Sequence, residues 1–143
     1  MAWRRLTEGD LAAYLSQREV EAYRRSADYT ADAVASILAA TGHLVRAHVR
    51  SGGVRVSPAS EPAIPEALVP PALDYAAFDL LKRFRLPVPE DRREARRQAI
   101  DLFARVAERK LAVEPDGEGE EAGASPSTAP ATGRANPEKR LLD

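Results

Sequence analysis

Residues 30–51 read TADAVASILAATGHLVRAHVRS, and this stretch decides the fold. Val34, Ile37, Leu38, Thr41, Leu44, Val45, His48 and Val49 recur at the i, i+3, i+4, i+7 spacing of one helical face. Thr30 can cap the start, and Gly52-Gly53 supplies a left-handed stop. The spacing therefore predicts a long amphipathic helix with one side committed to a core.

Upstream, Ser16-Gln17-Arg18-Glu19 is a capping box and Thr7-Glu8-Gly9-Asp10 a weaker version of one. They predict two short helices, the first to about Leu15 and the second from about Gln17 to Arg25. Downstream, Val54-Arg55-Val56 alternates like a short strand, and Pro58, Pro62 and Pro65 forbid regular structure, so a loop with at most a small hairpin is expected. A helix over residues 66–85 follows, with Leu68, Val69, Ala72, Leu73, Ala76, Ala77, Leu80, Leu81 and Phe84 on its apolar side. Pro70 and Pro71 put the start of its regular part near Pro70. Pro87 and Pro89 separate it from a last helix over residues 90–113, whose acidic first turn suits the helix dipole and whose Ala99, Phe103, Val106, Lys110 and Val113 line one side. The expected body is all-α, a small bundle of two short and three longer helices with one proline-rich loop.

The 143 residues contain no Cys, which excludes a disulfide framework, a thiolate zinc site and a cysteine nucleophile. The net charge of −1 conceals a division at Val113. From Glu114 onward seven acids face three bases, and the only large apolar residues are Leu141 and Leu142, so residues 114–143 read as a disordered acidic Pro/Gly/Ala tail carrying −4. Residues 1–113 form the helical domain and carry +3. No signal peptide or membrane-spanning run is expected.

Candidates for chemistry are thin. His43 and His48 are spaced i, i+5, about 140° apart on a helix, which excludes the shared metal of an i, i+4 pair. His48 reads as a satisfied core or interface imidazole and His43 as exposed. Gly52-Gly53 follows no strand and precedes no Lys-Ser/Thr, so it is no phosphate loop. No pair of carboxylates shares an apolar helix face. The expectation is a protein that is not an enzyme, with no catalytic residue, metal, cofactor or small-molecule substrate.

The basic residues remain. Arg92, Arg93, Arg96 and Arg97 form two i, i+4 pairs on the expected outer side of the last helix, while Arg46, Arg50 and Arg55 lie around the end of the long one. They are readable as a solvated face, a grip on an acidic protein surface, or phosphate contacts. The candidate partner or DNA contacts are Arg50, Arg55, Arg92, Arg93, Arg96 and Arg97.

The order of features resembles a small Mu-like phage and prophage protein family whose members open with an aromatic residue followed by Leu-Thr-x-x-Asp/Glu-Leu. Here Trp3-Arg4-Arg5-Leu6-Thr7-Glu8-Gly9-Asp10-Leu11 stands in that place. An Ala-rich helix ending in His48-Val49-Arg50 comes next, then a proline loop, Pro65-Glu66-Ala67-Leu68, and Leu73-Asp74-Tyr75-Ala76 with Leu80. Residues 99–113 are similar to the closing Ala-x-x-x-Leu-x-x-Ile-Ala-x-Gly-Lys pattern, with Arg109 in place of its usual Gly. A second departure is Ser51-Gly52-Gly53-Val54-Arg55-Val56, where Arg-Tyr-x-x-Pro-Leu is common.

That family is encoded beside the major capsid protein and resembles head-tail connector, adaptor or head-completion proteins. The resemblance implies a structural virion protein at the head-tail junction, present in the host cytoplasm during assembly. It implies a homo-oligomeric ring, usually of twelve subunits, between the portal protein and a tail-completion or stopper protein, with non-specific contact to packaged DNA. The alternative is a small helical DNA-associated regulator using the Arg92–Arg97 face.

Overall fold

The computed structural model describes residues 3–116; the expected disorder of residues 117–143 lies outside them. Five helices, α1 (Glu8–Tyr14), α2 (Gln17–Arg25), α3 (Ala31–Ser51), α4 (Val69–Arg83) and α5 (Glu90–Ala107), make an all-α body. To them is added one ladder, in which β1 (Trp3–Arg4) pairs antiparallel with β2 (Ile64–Pro65). None of the described helices is long and apolar enough to cross a membrane.

The start signals operate as read. Thr7 Oγ1 accepts from the Asp10 N–H while the Thr7 N–H donates to the Asp10 carboxylate, at 3.1 and 2.9 Å. Ser16 and Glu19 make the same reciprocal pair at 3.2 and 3.0 Å. Thr30 Oγ1 caps α3 through the Ala33 N–H at 3.0 Å. Pro70 and Pro71 fall in the first turn of α4, where a missing N–H deprives no carbonyl of a partner, so the helix begins at Val69 after a 3-10 turn over Glu66–Leu68.

α4 is the central helix, touching α1, α3 and α5. Ala72, Ala76 and Ala77 on it are fully buried and let its neighbours approach closely, while Leu73, Leu80 and Leu81 fill the spaces between them. From α3 the core takes Val34, Ile37, Leu38, Val45 and Val49, and from α5 Ala99, Phe103 and Val106.

Of the two forms expected after α3, the loop is the one present: Val54-Arg55-Val56 forms no strand, and the ladder is made at the other end of the loop, with Trp3–Arg4. Alternation reveals a side-chain pattern but does not identify the strand's partner. Two boundaries are corrected.

The last helix stops at Ala107 rather than Val113. Arg109 adopts φ 64° and the Lys110 N–H turns back to the Arg105 carbonyl at 2.8 Å, a left-handed helix end of the kind glycine usually serves.

The folded body also extends past Val113. The Trp3 indole N–H donates to the Glu114 carbonyl at 3.1 Å, and Asp116 is buried, accepting from the Ser57 N–H at 3.1 Å and the Ser60 hydroxyl at 2.5 Å. Two polar residues in an acidic stretch carry no periodic signal, so the boundary read from composition falls short.

The loop between α3 and β2 is drawn onto α3 by Arg46. This guanidinium, 1 % exposed, donates through Nη1 to Ser60 Oγ at 3.0 Å and the Ala63 carbonyl at 2.8 Å, and through Nη2 to the Ser57 carbonyl at 2.7 Å. Its carbon lies 5.9 Å from the centroid of the Trp3 ring. Arg46, grouped from the sequence with the basic residues at the end of the long helix, is therefore an interior residue.

Two glycines permit the close contacts this arrangement needs. A Cβ on Gly42 would stand 2.6 Å from the Pro62 carbonyl oxygen, and one on Gly52 would overlap the Val106 carbonyl oxygen where α3 and α5 end side by side. Gly52→Ala should therefore destabilise the protein by about 1–3 kcal/mol, the range of an overpacked core. A lowered denaturation midpoint at unchanged slope checks this; an unchanged midpoint contradicts the contact.

Candidate functional site

The four arginines in the first half of α5 sort by helical position into two classes. Arg92 and Arg96 lie toward the neighbouring helices, and Arg93 and Arg97 point outward.

Arg92 grips Glu19 at the start of α2 with two hydrogen bonds, Nη2 to Oε1 at 2.6 Å and Nε to Oε2 at 3.1 Å. Its guanidinium lies 5.2 Å from the Tyr14 ring centroid. The two side chains are only 17 % and 19 % exposed, so this pair is shielded and bidentate rather than a loose surface contact. Burial pushes the Glu19 carboxyl up, but Arg92 and the Ser16 N–H outweigh it, and the net shift is downward.

Arg96 is layered against two rings of α4, 4.7 Å from the Tyr75 centroid and 4.6 Å from that of Phe78. It approaches Asp79 to 4.0 Å, and its buried Nε has no hydrogen-bond partner among the described residues. Burial raises the Asp79 carboxyl above its usual range against the pull of Arg96 and Lys82. Reading Arg92, Arg93, Arg96 and Arg97 together as an outer face is thus corrected: Arg92 and Arg96 hold the bundle together.

What remains outside is a shallow cleft of about 240 Å³ lined by Phe78, Arg93, Arg96, Arg97 and Ile100. Ile100 is 39 % exposed, one of three large apolar side chains that stand out among the described residues. Arg97 pairs with Glu94 on its own helix. The cleft's own lining thus holds three arginines and no acid, with Asp79 against Arg96 and Glu94 against Arg97 at its margin.

Arg50 and Arg55 are exposed but belong to a different end of the molecule. His48 packs on Phe103 with ring centroids 5.9 Å apart, and Gly52 abuts Val106, so α3 and α5 run side by side in the same direction. Arg50 therefore lies near the end of α5, roughly 15 Å along its axis from the Arg93–Arg97 turn. The six arginines read from the sequence do not make one patch. Cations near the ends of α3 and α5 complement the carbonyl ends of both dipoles.

The histidines take the places expected of them. His48 Nδ1 donates to the Leu44 carbonyl at 2.9 Å, and His43 is exposed, 4.0 Å from the Glu61 carboxylate. Among the described residues no group of three His, Asp or Glu side chains could hold a metal.

One cluster escaped sequence reading. The Glu8 carboxylate accepts from the hydroxyls of Tyr23 at 2.9 Å and Tyr29 at 3.1 Å, and from Arg24 at 3.4 Å. Burial and that carboxylate push the Tyr23 phenol up to about 12. This knot joins α1 to the turn before α3. Its tyrosines are spaced i, i+6 across a helix end, so no helical period links them.

Comparison with protein-family models, curated proteins and solved structures finds no match for this chain.

The division of the arginines is open to measurement. Arg92→Ala should cost about 1.5–3 kcal/mol of stability, the worth of hydrogen bonds to a charged group, whereas Arg93→Ala should stay within about 0.5 kcal/mol of wild type. Because the folded-state pKa of Glu19 is lowered, the contribution from this pair is present at neutral pH and is lost as pH falls below the ordinary carboxyl value of 4.5. Denaturation of both variants at neutral and acid pH checks this; equal losses for the two would contradict it.

Proposed function

We propose that the protein is a structural subunit of a phage head-tail junction, a connector or adaptor that assembles as a ring beneath the portal and does no catalysis. The observation that carries the reading is the order of its motifs on a helical body: an aromatic opening with Leu-Thr-x-x-Asp-Leu, a long Ala-rich helix, a proline loop, and two further helices. The residues that bear the resemblance sit at joints of this fold. Trp3 is in the ladder, Asp10 closes a capping box, Pro65-Glu66-Ala67-Leu68 turns the chain into α4, and Leu73, Ala76 and Leu80 are buried.

The surface supports a subunit made to meet a different surface of its neighbour. One side of α3 carries the proline loop and the last described residue, Asp116; beyond α5 lies the cationic cleft. Two unlike faces on one subunit give head-to-tail contacts, which close into a ring when the rotation permits. Arg93 and Arg97 stand as candidate contacts to a partner or to packaged DNA at one end, and Arg50 and Arg55 at the other. A DNA-associated regulator gripping phosphates through the Arg92–Arg97 face is less well supported, because Arg92 and Arg96 are engaged in the fold.

Electron microscopy of the full chain mixed with the portal protein of its own phage tests the proposal. Rings seated on the portal, twelvefold in projection, are the expected result. A chain that leaves the portal bare would sink it.

A further inference from the structure

The cleft and the acidic segment of the same chain are complementary. Residues 3–113 are basic overall, and immediately after the described body come Glu118, Glu120 and Glu121 with only Gly between or before them. The three carboxylates have only small Gly or Ala residues and one another as sequence neighbours, and the cleft offers Arg93, Arg96 and Arg97 around Phe78 and Ile100. We propose that the acidic segment at residues 118–121 of one copy docks in the α4–α5 cleft of a second copy.

The occupant comes from a neighbour because the geometry prevents the chain from reaching its own cleft. Asp116 is held against Ser57 and Ser60, on the side of α3 where Gly42 and Arg46 meet the loop. α5 packs on another side of α3 through His48 and Gly52. On α5 itself the Arg93–Arg97–Ile100 surface is turned about 100° or more from the buried Ala99 and Val106.

Two helices, each about 10 Å across, therefore separate the tether from the cleft. Residues 118–121 lie two to five positions past Asp116, a reach of roughly 7–18 Å even when fully extended. Two helix diameters, about 20 Å, exceed that reach.

This contact deepens the ring reading by naming what holds neighbours together, and it rests on that reading only for closure of the ring. Exposed pairs of this kind contribute fractions of a kcal/mol each and are screened by salt. Three of them should make self-association about tenfold weaker in about 1 M salt than at low salt.

The test uses two full-length variants, one carrying Arg93→Glu with Arg97→Glu, the other Glu118→Arg with Glu120→Arg and Glu121→Arg, both altered at exposed or tail positions. In sedimentation at low salt, wild type should self-associate, each variant alone should do so about tenfold less, and the two mixed should recover pairing with each other. Wild type that stays monomeric, self-association indifferent to both charge reversals, or failure of the mixture to pair would each overturn the proposal. Rings that form on the portal with the cleft variant as well as with wild type would remove this contact while leaving the connector reading intact.

Discussion

The structure depends on one buried charge. A guanidinium taken out of water needs acceptors, and Arg46, buried on the last third of the apolar α3, finds them for Nη1 and Nη2 while its Nε has none among the described residues. Its acceptors come from the proline loop, at Ser57, Ser60 and Ala63, so the loop folds back along α3. Burial lowers the Arg46 pKa, and the charges of Glu61 and Asp116 oppose that shift. Asp116 reaches the same spot through Ser60, and the Trp3 ring lies across it. The first strand, the loop and residues 114–116 are all organised around a single side chain.

That arrangement determines which surfaces are available. With the loop and residues 114–116 gathered on one side of α3, α5 occupies another side and turns Arg93, Arg97 and Ile100 outward, together with exposed polar residues such as Glu94, Gln98 and Asp101. Arg92 and Arg96 are inward because α5 must be fastened at its polar first half, where it has few apolar residues to bury. A bidentate pair with the Glu19 capping box and a cation layered on Tyr75 and Phe78 do the fastening there, and Ala99, Phe103 and Val106 do it further along. An asymmetric subunit results, with chemically different faces on a small body.

Much of this was legible in the sequence. The α3 stripe, both capping boxes, the glycine stop and the proline breaks act locally, and local signals survive without knowledge of tertiary partners. The parts that were not legible depend on distant residues. Nothing near Arg46 in the chain announces that Ser57, Ser60, Ala63 and Asp116 will surround it. Arg92 and Arg93 are adjacent and chemically identical, and only the position of Glu19 across the bundle separates a structural residue from a surface one. The early end of α5 was hidden because Arg109 takes a backbone conformation usually given to glycine. The composition shift at Val113 was real but concealed the anchoring of Glu114 and Asp116.

The central claim, that Arg46 holds three separate parts of the chain, is tested most directly by native-state hydrogen exchange on Arg46→Met. This change keeps the apolar stem and removes the donors. The account predicts that amides of the loop over residues 54–63, of Trp3 and Arg4, and of residues 113–116 lose protection together, while those of α4 and α5 keep it. Loss confined to α3 beside the substitution, or retained protection in any one of the three segments, would contradict it.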